Sequence, residues 1–141
     1  MSPPRASPAL AIAAVLAACG SAGGDGLPGP SGDPRAAPAR AAVESYFEAV
    51  RAADGAAICA RLAPSLSRQV AGLQSRPCEQ ALAAEARRLP ESLADYRVRE
   101  VVLRGDTAQV TVEGEAAGRD MLALERRGGR WLITSAPGLG G

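Results

Sequence analysis

The chain has 141 residues, and its 16 basic and 15 acidic side chains give a formal net charge of +1. This near balance argues against nucleic acid as a partner and against electrostatic docking on an anionic lipid surface. The chain also has no histidine, the commonest general base and metal ligand. We therefore expect neither a metal site nor a cofactor.

The first 18 residues have the features of a bacterial secretory signal peptide. Arg5 is the only charged residue before an uncharged apolar run over residues 9–18, and this run is far shorter than the roughly 20 residues of a membrane-spanning helix. It leads into residues 16–19 (LAAC), which resemble the lipobox of bacterial lipoprotein precursors. The resemblance implies cleavage before Cys19 and lipidation of its thiol. An ordinary secretory signal cut near Ala18 is the alternative.

Lipidation would attach the mature chain to a lipid bilayer, because two acyl chains on Cys19 hold a protein there firmly. We expect it in the cell envelope, on the outer side of the cytoplasmic membrane. Residues 19–38 are rich in Gly, Pro, Ser and Asp without an apolar period, which predicts a flexible tether. Residues 39–137, roughly 100 in number, then suffice for one domain with one core.

Two cysteines remain in that domain, Cys59 and Cys78. Outside the cytoplasm such a pair is expected to form a disulfide, which closes a loop of about 20 residues and contributes roughly 3 kcal/mol in the chain-entropy description. Two buried free thiols are the alternative.

Helical patterns fill the first half of the domain. Residues 39–53 form one amphipathic helix, which Asp54 and Gly55 end. Asp54 can also cap a second helix over residues 56–62, and Pro77 precedes a helix over residues 78–88, with Leu82 and Leu89 on its inward side. The pattern over residues 66–73 favours no particular structure.

Strand patterns fill the second half. We predict strands over residues 96–104, 107–113, 120–126 and 131–134, and the second of them alternates cleanly, with Ala108, Val110 and Val112 on one face. Helices followed by antiparallel strands predict an α+β domain with the helices packed on one face of a curved antiparallel sheet.

Residues 42–55 (AVESYFEAVRAADG) resemble the first helix and following turn of nuclear transport factor 2-like domains. The strand junction at residues 105–108 (GDTA) and the last strand at residues 129–133 (GRWLI) fit the same family, which includes ketosteroid isomerases and polyketide cyclases. The resemblance implies a cone-like fold with an apolar pocket, often a homodimer through the sheet.

The resemblance also implies a place for catalytic residues. Tyr46 falls where the isomerases place a tyrosine that hydrogen-bonds a developing oxyanion, and Asp120 is a weak candidate for the second pocket acid, with a register uncertain by one residue. The segment that holds the family's carboxylate base is LSRQV here, residues 66–70, without Asp or Glu. Whether the chain is an enzyme stays open, with the balance against it.

We therefore expect a non-catalytic domain that binds a small apolar ligand inside the cone or a protein partner through the sheet. An isomerase- or cyclase-type enzyme using Tyr46 and Asp120 is one alternative, and a structural protein of the envelope is another. The residues expected to line the ligand pocket are Val43, Tyr46, Phe47, Val50 and Trp131.

Overall fold

The computed structural model of the protein describes residues 32–90 and 95–139. The predicted signal peptide, Cys19 and the predicted tether up to residue 31 lie outside the described residues. Within those two ranges, none of the helices combines the length and the apolar character that crossing a membrane requires.

Four α-helices occupy the first described range, after a short 3₁₀ turn at Pro34–Ala36. The Asp54 carboxylate accepts a hydrogen bond of 3.0 Å from the Ala57 amide and caps the second helix, as the sequence predicts. The helices are α1 (Ala37–Arg51), α2 (Gly55–Arg61), α3 (Pro64–Gln74) and α4 (Cys78–Arg88).

Three helical details differ from the sequence predictions. Helix α1 begins at Ala37, two residues before the predicted start, and Ala36 and Ala39 at its beginning are both buried. The sequence pattern over residues 66–73 did not predict helix α3. Leu66 and Val70 are four positions apart, as on one face of a helix, and both are buried. Leu89, expected on the inward side, is 37% exposed because α4 has already ended at Arg88.

Four strands form one antiparallel sheet in the order β1-β2-β3-β4. This arrangement confirms the α+β class. Consecutive strands are neighbours in the sheet, so short turns suffice to connect them. The strands are β1 (Tyr96–Arg104), β2 (Thr107–Gly114), β3 (Gly118–Arg127) and β4 (Arg130–Ser135).

One face of the sheet, here called the inner face, carries the core. The predicted inward residues of β2, Ala108, Val110 and Val112, are at most 2% exposed. Leu122 and Leu124 lie directly opposite two of them on β3 and are equally buried. Helix α1 contacts β1, β2 and β4, so the helices cover the inner face.

The sheet is irregular at two places, a register shift between Val98 and Glu100 on β1 and another on β3. The Arg40 guanidinium of α1 donates a hydrogen bond of 3.1 Å to the Val98 carbonyl at the first of them. A bulge bends its strand and increases the local twist, and the hydrogen bond from Arg40 ties this irregular part of β1 to α1.

Helices α2 and α4 are the most closely joined helix pair. A disulfide links Cys59 of α2 to Cys78 of α4, with the Cα atoms 6.2 Å apart, in agreement with the pairing expected from the sequence. Gly55 lies so close to α4 that a Cβ at this position would lie 1.8 Å from the Glu79 carbonyl oxygen.

A candidate ligand-binding cavity

A cavity of about 250 Å³ lies between the helices and the start of β1. We call it the tyrosine cavity, because both tyrosines of the chain line it. Its other walls are mainly apolar. The lining residues are Tyr46, Phe47, Val50, Ile58, Leu82, Glu85, Ala86, Leu89, Tyr96, Pro137, Gly138 and Leu139.

Aromatic rings organise one side of this cavity. Phe47 lies between the tyrosines, with ring centroids 5.1 Å from Tyr46 in an edge-to-face arrangement and 4.9 Å from Tyr96. Tyr96 in turn lies over Gly114, where a Cβ would come within 3.3 Å of its ring. Because these contacts join α1 to two strands, they hold the rings in defined positions.

The structure brings three of the five predicted pocket residues to this cavity, namely Tyr46, Phe47 and Val50. Val43 is fully buried in the core, one helical turn away from Phe47. Trp131 is 8% exposed and lines a different, shallow depression beside the start of α1. Both therefore have packing positions outside the cavity.

Tyr46 is the polar group with the most unusual surroundings. It is 6% exposed and makes no hydrogen bond among the residues described, yet its hydroxyl oxygen is not fully enclosed, since it is not one of their buried unpaired side-chain atoms. Burial raises the pKa of Tyr46 to about 12, with a smaller contribution from Tyr96. The hydroxyl therefore stays protonated at neutral pH and can donate a hydrogen bond. Tyrosine hydroxyls usually have a partner, and water or a ligand in the cavity can supply an acceptor here.

Asp120 lies on the inner face of the sheet, because it pairs with the buried Val112. The next residue, Met121, is 54% exposed on the opposite face. Burial and then the negative charge of Asp120 raise the pKa of Tyr96. The Asp120 carboxylate itself accepts a hydrogen bond of 2.9 Å from the Met121 amide and does not line the cavity.

The tyrosine cavity thus has hydrogen-bond donors but lacks an internal carboxylate in the part of the chain that the structure describes. Glu85 is the one acid among its lining residues, and its side chain is 51% exposed and paired with Arg88 at 4.0 Å. Leu66 and Val70, in the segment that would hold a base, are core residues. A general base would have to lie within hydrogen-bond reach of the proton that it abstracts.

Sequence reasoning missed several cavity residues. Leu82 was expected to face inward but not to line a pocket, and Ile58 was placed within the second helix but not in a pocket, although the predicted disulfide already puts these helices side by side. Tyr96 was assigned only to a strand. The segment Pro137–Leu139 gave no signal, because nothing in a short Pro-Gly-Leu run indicates which surface it covers.

Within residues 32–90 and 95–139, no three Cys, Asp or Glu side chains lie close enough to hold a metal ion. No family model, curated protein or solved structure matches the chain. The resemblance to nuclear transport factor 2-like domains therefore depends on the sequence features quoted above and on the order of the elements.

The surroundings of Tyr46 predict its titration. In a Tyr96→Phe variant Tyr46 is the only tyrosine, and its absorbance should titrate near pH 12 in the folded protein, because burial is the main cause of the shift. The same chain unfolded in urea should titrate near 10. Because the pKa of Tyr46 is higher in the folded than in the unfolded state, protonated Tyr46 contributes to the free energy of unfolding. This contribution is fully present below pH 10 and is lost as the pH rises from 10 to 12. If Tyr46 titrates near pH 10 while circular dichroism shows that the variant is still folded, the raised pKa is contradicted.

Proposed function

We propose that this chain is a lipid-anchored protein of the bacterial envelope whose nuclear transport factor 2-like domain binds a small apolar ligand in the tyrosine cavity. The domain would stand on the outer side of the cytoplasmic membrane, attached through acylated Cys19. The LAAC string supports the anchor, and the Cys59–Cys78 disulfide fits an oxidising compartment.

One observation carries the binding proposal: Tyr46, which is 6% exposed and makes no hydrogen bond among the residues described, lines a mainly apolar space large enough for a ligand. An engineered cavity of about 150 Å³ already holds benzene, whereas drug-sized ligands occupy pockets of about 300–1,000 Å³. The cavity here has about 250 Å³, which suits a ligand between these limits. An acceptor oxygen on that ligand would satisfy the Tyr46 hydroxyl.

The arrangement of elements supports the family proposal. An aromatic amphipathic helix, α1, lies across the inner face of a four-stranded antiparallel sheet, with further helices beside it. The shift on β1 gives the sheet a place to bend toward the helices. These features are the ones that a cone-like fold requires.

Native mass spectrometry of the full-length protein, purified gently from its own membranes, tests both parts of the proposal. We expect an acylated N-terminal Cys19 and a reproducible additional mass from a bound small molecule. A chain that keeps Met1, or is cut without lipid, would overturn the anchor. An empty cavity would overturn ligand binding and leave a partner-binding or structural role.

Two tryptophan variants make the assignment to the cavity specific. Ala86→Trp introduces a large ring into the cavity wall and should abolish the additional mass, because Ala86 lines the cavity. Ala84→Trp makes the same change on the same helix, at a position that lines a different depression. This variant should keep the additional mass of the bound ligand. Equal loss in both variants would assign the effect to general damage of α4.

An isomerase- or cyclase-type enzyme is the second candidate, favoured by the placement of Asp120 on the inner face beside Tyr96. If it is correct, the ligand identified above should be chemically converted by the wild-type protein. The double variant Tyr46→Phe with Asp120→Asn should then stop turnover while remaining folded. Unchanged turnover would exclude this pair of residues.

A homodimer through the sheet remains part of the proposal. The face opposite the helices exposes Met121 at 54% and Val102 at 37%, so a partner there would cover apolar surface. Light scattering of the wild-type protein should report twice the monomer mass. The Met121→Arg variant should give the mass of the monomer. A wild-type monomer at high concentration would contradict the dimer.

A further inference from the structure

A turn over residues 136–139 follows β4 and forms one wall of the tyrosine cavity. The Leu139 amide donates a hydrogen bond of 3.1 Å to the Ala136 carbonyl, and Gly138 has a φ of +74° that suits glycine. The turn brings the Leu139 side chain back onto the core, where it is half-buried. This side chain thus ends the cavity on one side.

A second, smaller space of about 110 Å³ lies on the other side of the same turn. We call it the α3–α4 groove, because residues of these two helices form it: Val70, Leu73, Gln74, Ala81, Leu82 and Glu85. The cavity and the groove share four lining residues, Leu82, Glu85, Gly138 and Leu139. The two spaces are therefore neighbours with a common wall.

Leu139 is the part of that wall which a ligand would meet. Leu82 is 5% exposed and belongs to the helix beneath, Gly138 has no side chain, and the Glu85 side chain is 51% exposed at the rim. Beyond Leu139, the groove offers Leu73, which is 66% exposed. Because Leu139 lines both spaces, removing its side chain would open a passage between them.

We propose that Leu139 sets the maximum length of the ligand and that the ligand is an unbranched alkyl chain with an uncharged polar end. This inference rests on the proposed function, since it names the ligand class of the same cavity. Two adjoining spaces that share one wall can be followed by a flexible chain more readily than by a rigid fused ring. Among the residues described, Glu85 is the only charged one that lines either space. Arg88 lies 4.0 Å from its carboxylate but lines neither space, so the negative charge at the rim disfavours a carboxylate end.

Calorimetric titration of the full-length protein, freed of bound ligand, with n-alkanols from butanol to dodecanol tests the proposal. Each added methylene should raise the affinity about fourfold while it enters apolar space. In the wild type this gain should stop at a definite length, where the chain reaches Leu139. In Leu139→Ala the gain should continue to longer alcohols.

Two further variants locate the effect. Leu89→Ala makes the same change at a residue that lines the cavity but not the groove, and it should leave the limiting length unchanged. In the double variant Leu139→Ala with Leu73→Ala, the gain in affinity per added methylene should be smaller than in Leu139→Ala for the longer alcohols only. Each alkanoate should bind more weakly than the alkanol of equal length. The Glu85→Gln variant should reduce this difference in affinity.

The outcomes separate the two levels of the proposal. Binding of alcohols with the same limiting length in wild type and Leu139→Ala would overturn the role of Leu139 and leave ligand binding intact. Preference for alkanoates would overturn the uncharged end. If neither an alkanol nor naphthalene binds the ligand-free protein, both this inference and the proposed function fail. Naphthalene binding alone would overturn only the alkyl-chain ligand.

Discussion

Replacing both Cys59 and Cys78 by alanine is expected to lower the free energy of unfolding by about 3 kcal/mol, because the disulfide closes a loop between two cysteines that are 19 positions apart in the sequence. For a domain of this size the midpoint of thermal unfolding should fall by roughly 10–20 °C. Differential scanning calorimetry in the absence of reductant measures both quantities. The loss is large because, without the bridge, the unfolded chain regains the conformational freedom of the closed loop.

Reduction of the wild-type protein supplies the control for packing changes that alanine itself introduces. Cys78 is buried and its sulfur lies 3.8 Å from the Ser67 hydroxyl, so alanine removes a contact as well as the bridge. Wild-type protein in excess reductant should show most of the same loss. The double variant should be insensitive to reductant. An unchanged unfolding midpoint on reduction would contradict a stabilising disulfide.

The same bridge shows how far the sequence predicts this fold. Periodicity in the helices and alternation in β2 identify which faces are buried, since both depend on local geometry alone. The boundaries of β1 follow from its valine-rich composition and the Gly105-Asp106 turn. The position of Cys59 and Cys78 then predicts that α2 and α4 are neighbours. These features are short-range or covalent, and each leaves a readable pattern.

The cavity could be predicted only in part, because its shape depends on contacts between distant segments. Tyr46, Phe47 and Val50 share one helix face and were expected in the interior. Trp131 was expected there too, yet it packs under Arg126, whose guanidinium carbon lies 5.8 Å from the ring centre. Which interior residues border empty space depends on the fit of whole elements, and no local pattern reports that fit.

Gly55 illustrates a residue whose sequence role differs from its structural one. The sequence suggests that Asp54 and Gly55 end α1, but the left-handed residue at that junction is Ala53, with a φ of 51°. Gly55 instead begins α2 and is buried against α4. Its lack of a side chain permits a close approach of the two helices.

Gly55→Ala is therefore expected to destabilise the domain by about 3 kcal/mol or more, the upper part of the range for overpacked cores. The new methyl would lie 1.8 Å from the Glu79 carbonyl oxygen and 3.0 Å from the Ala83 methyl. The first obstacle is backbone, so α2 must move away from α4. Urea unfolding followed by circular dichroism measures the change.

Gly72→Ala is the matched control. Gly72 lies in α3, and apart from its chain neighbours and its own helix backbone no atom of the described residues lies within 4 Å of a Cβ built there. The same substitution should stabilise the domain by about 0.5–1 kcal/mol, because alanine favours the helix over glycine. Destabilisation of equal size at both positions would show that the cost at Gly55 does not come from the contact with α4.

The disulfide and the glycine act on the same helix pair, so their effects should not be additive. With the bridge present, Cys59 and Cys78 restrain α2 and α4 and oppose the movement that an alanine at position 55 requires. Without the bridge the helices can separate, and Gly55→Ala should cost less in the Cys59→Ala, Cys78→Ala background than in the wild type. Equal costs in both backgrounds would mean that the strain is relieved inside α2 alone. Because Ile58 and Leu82 line the cavity from these two helices, the separation that relieves the strain should also weaken ligand binding.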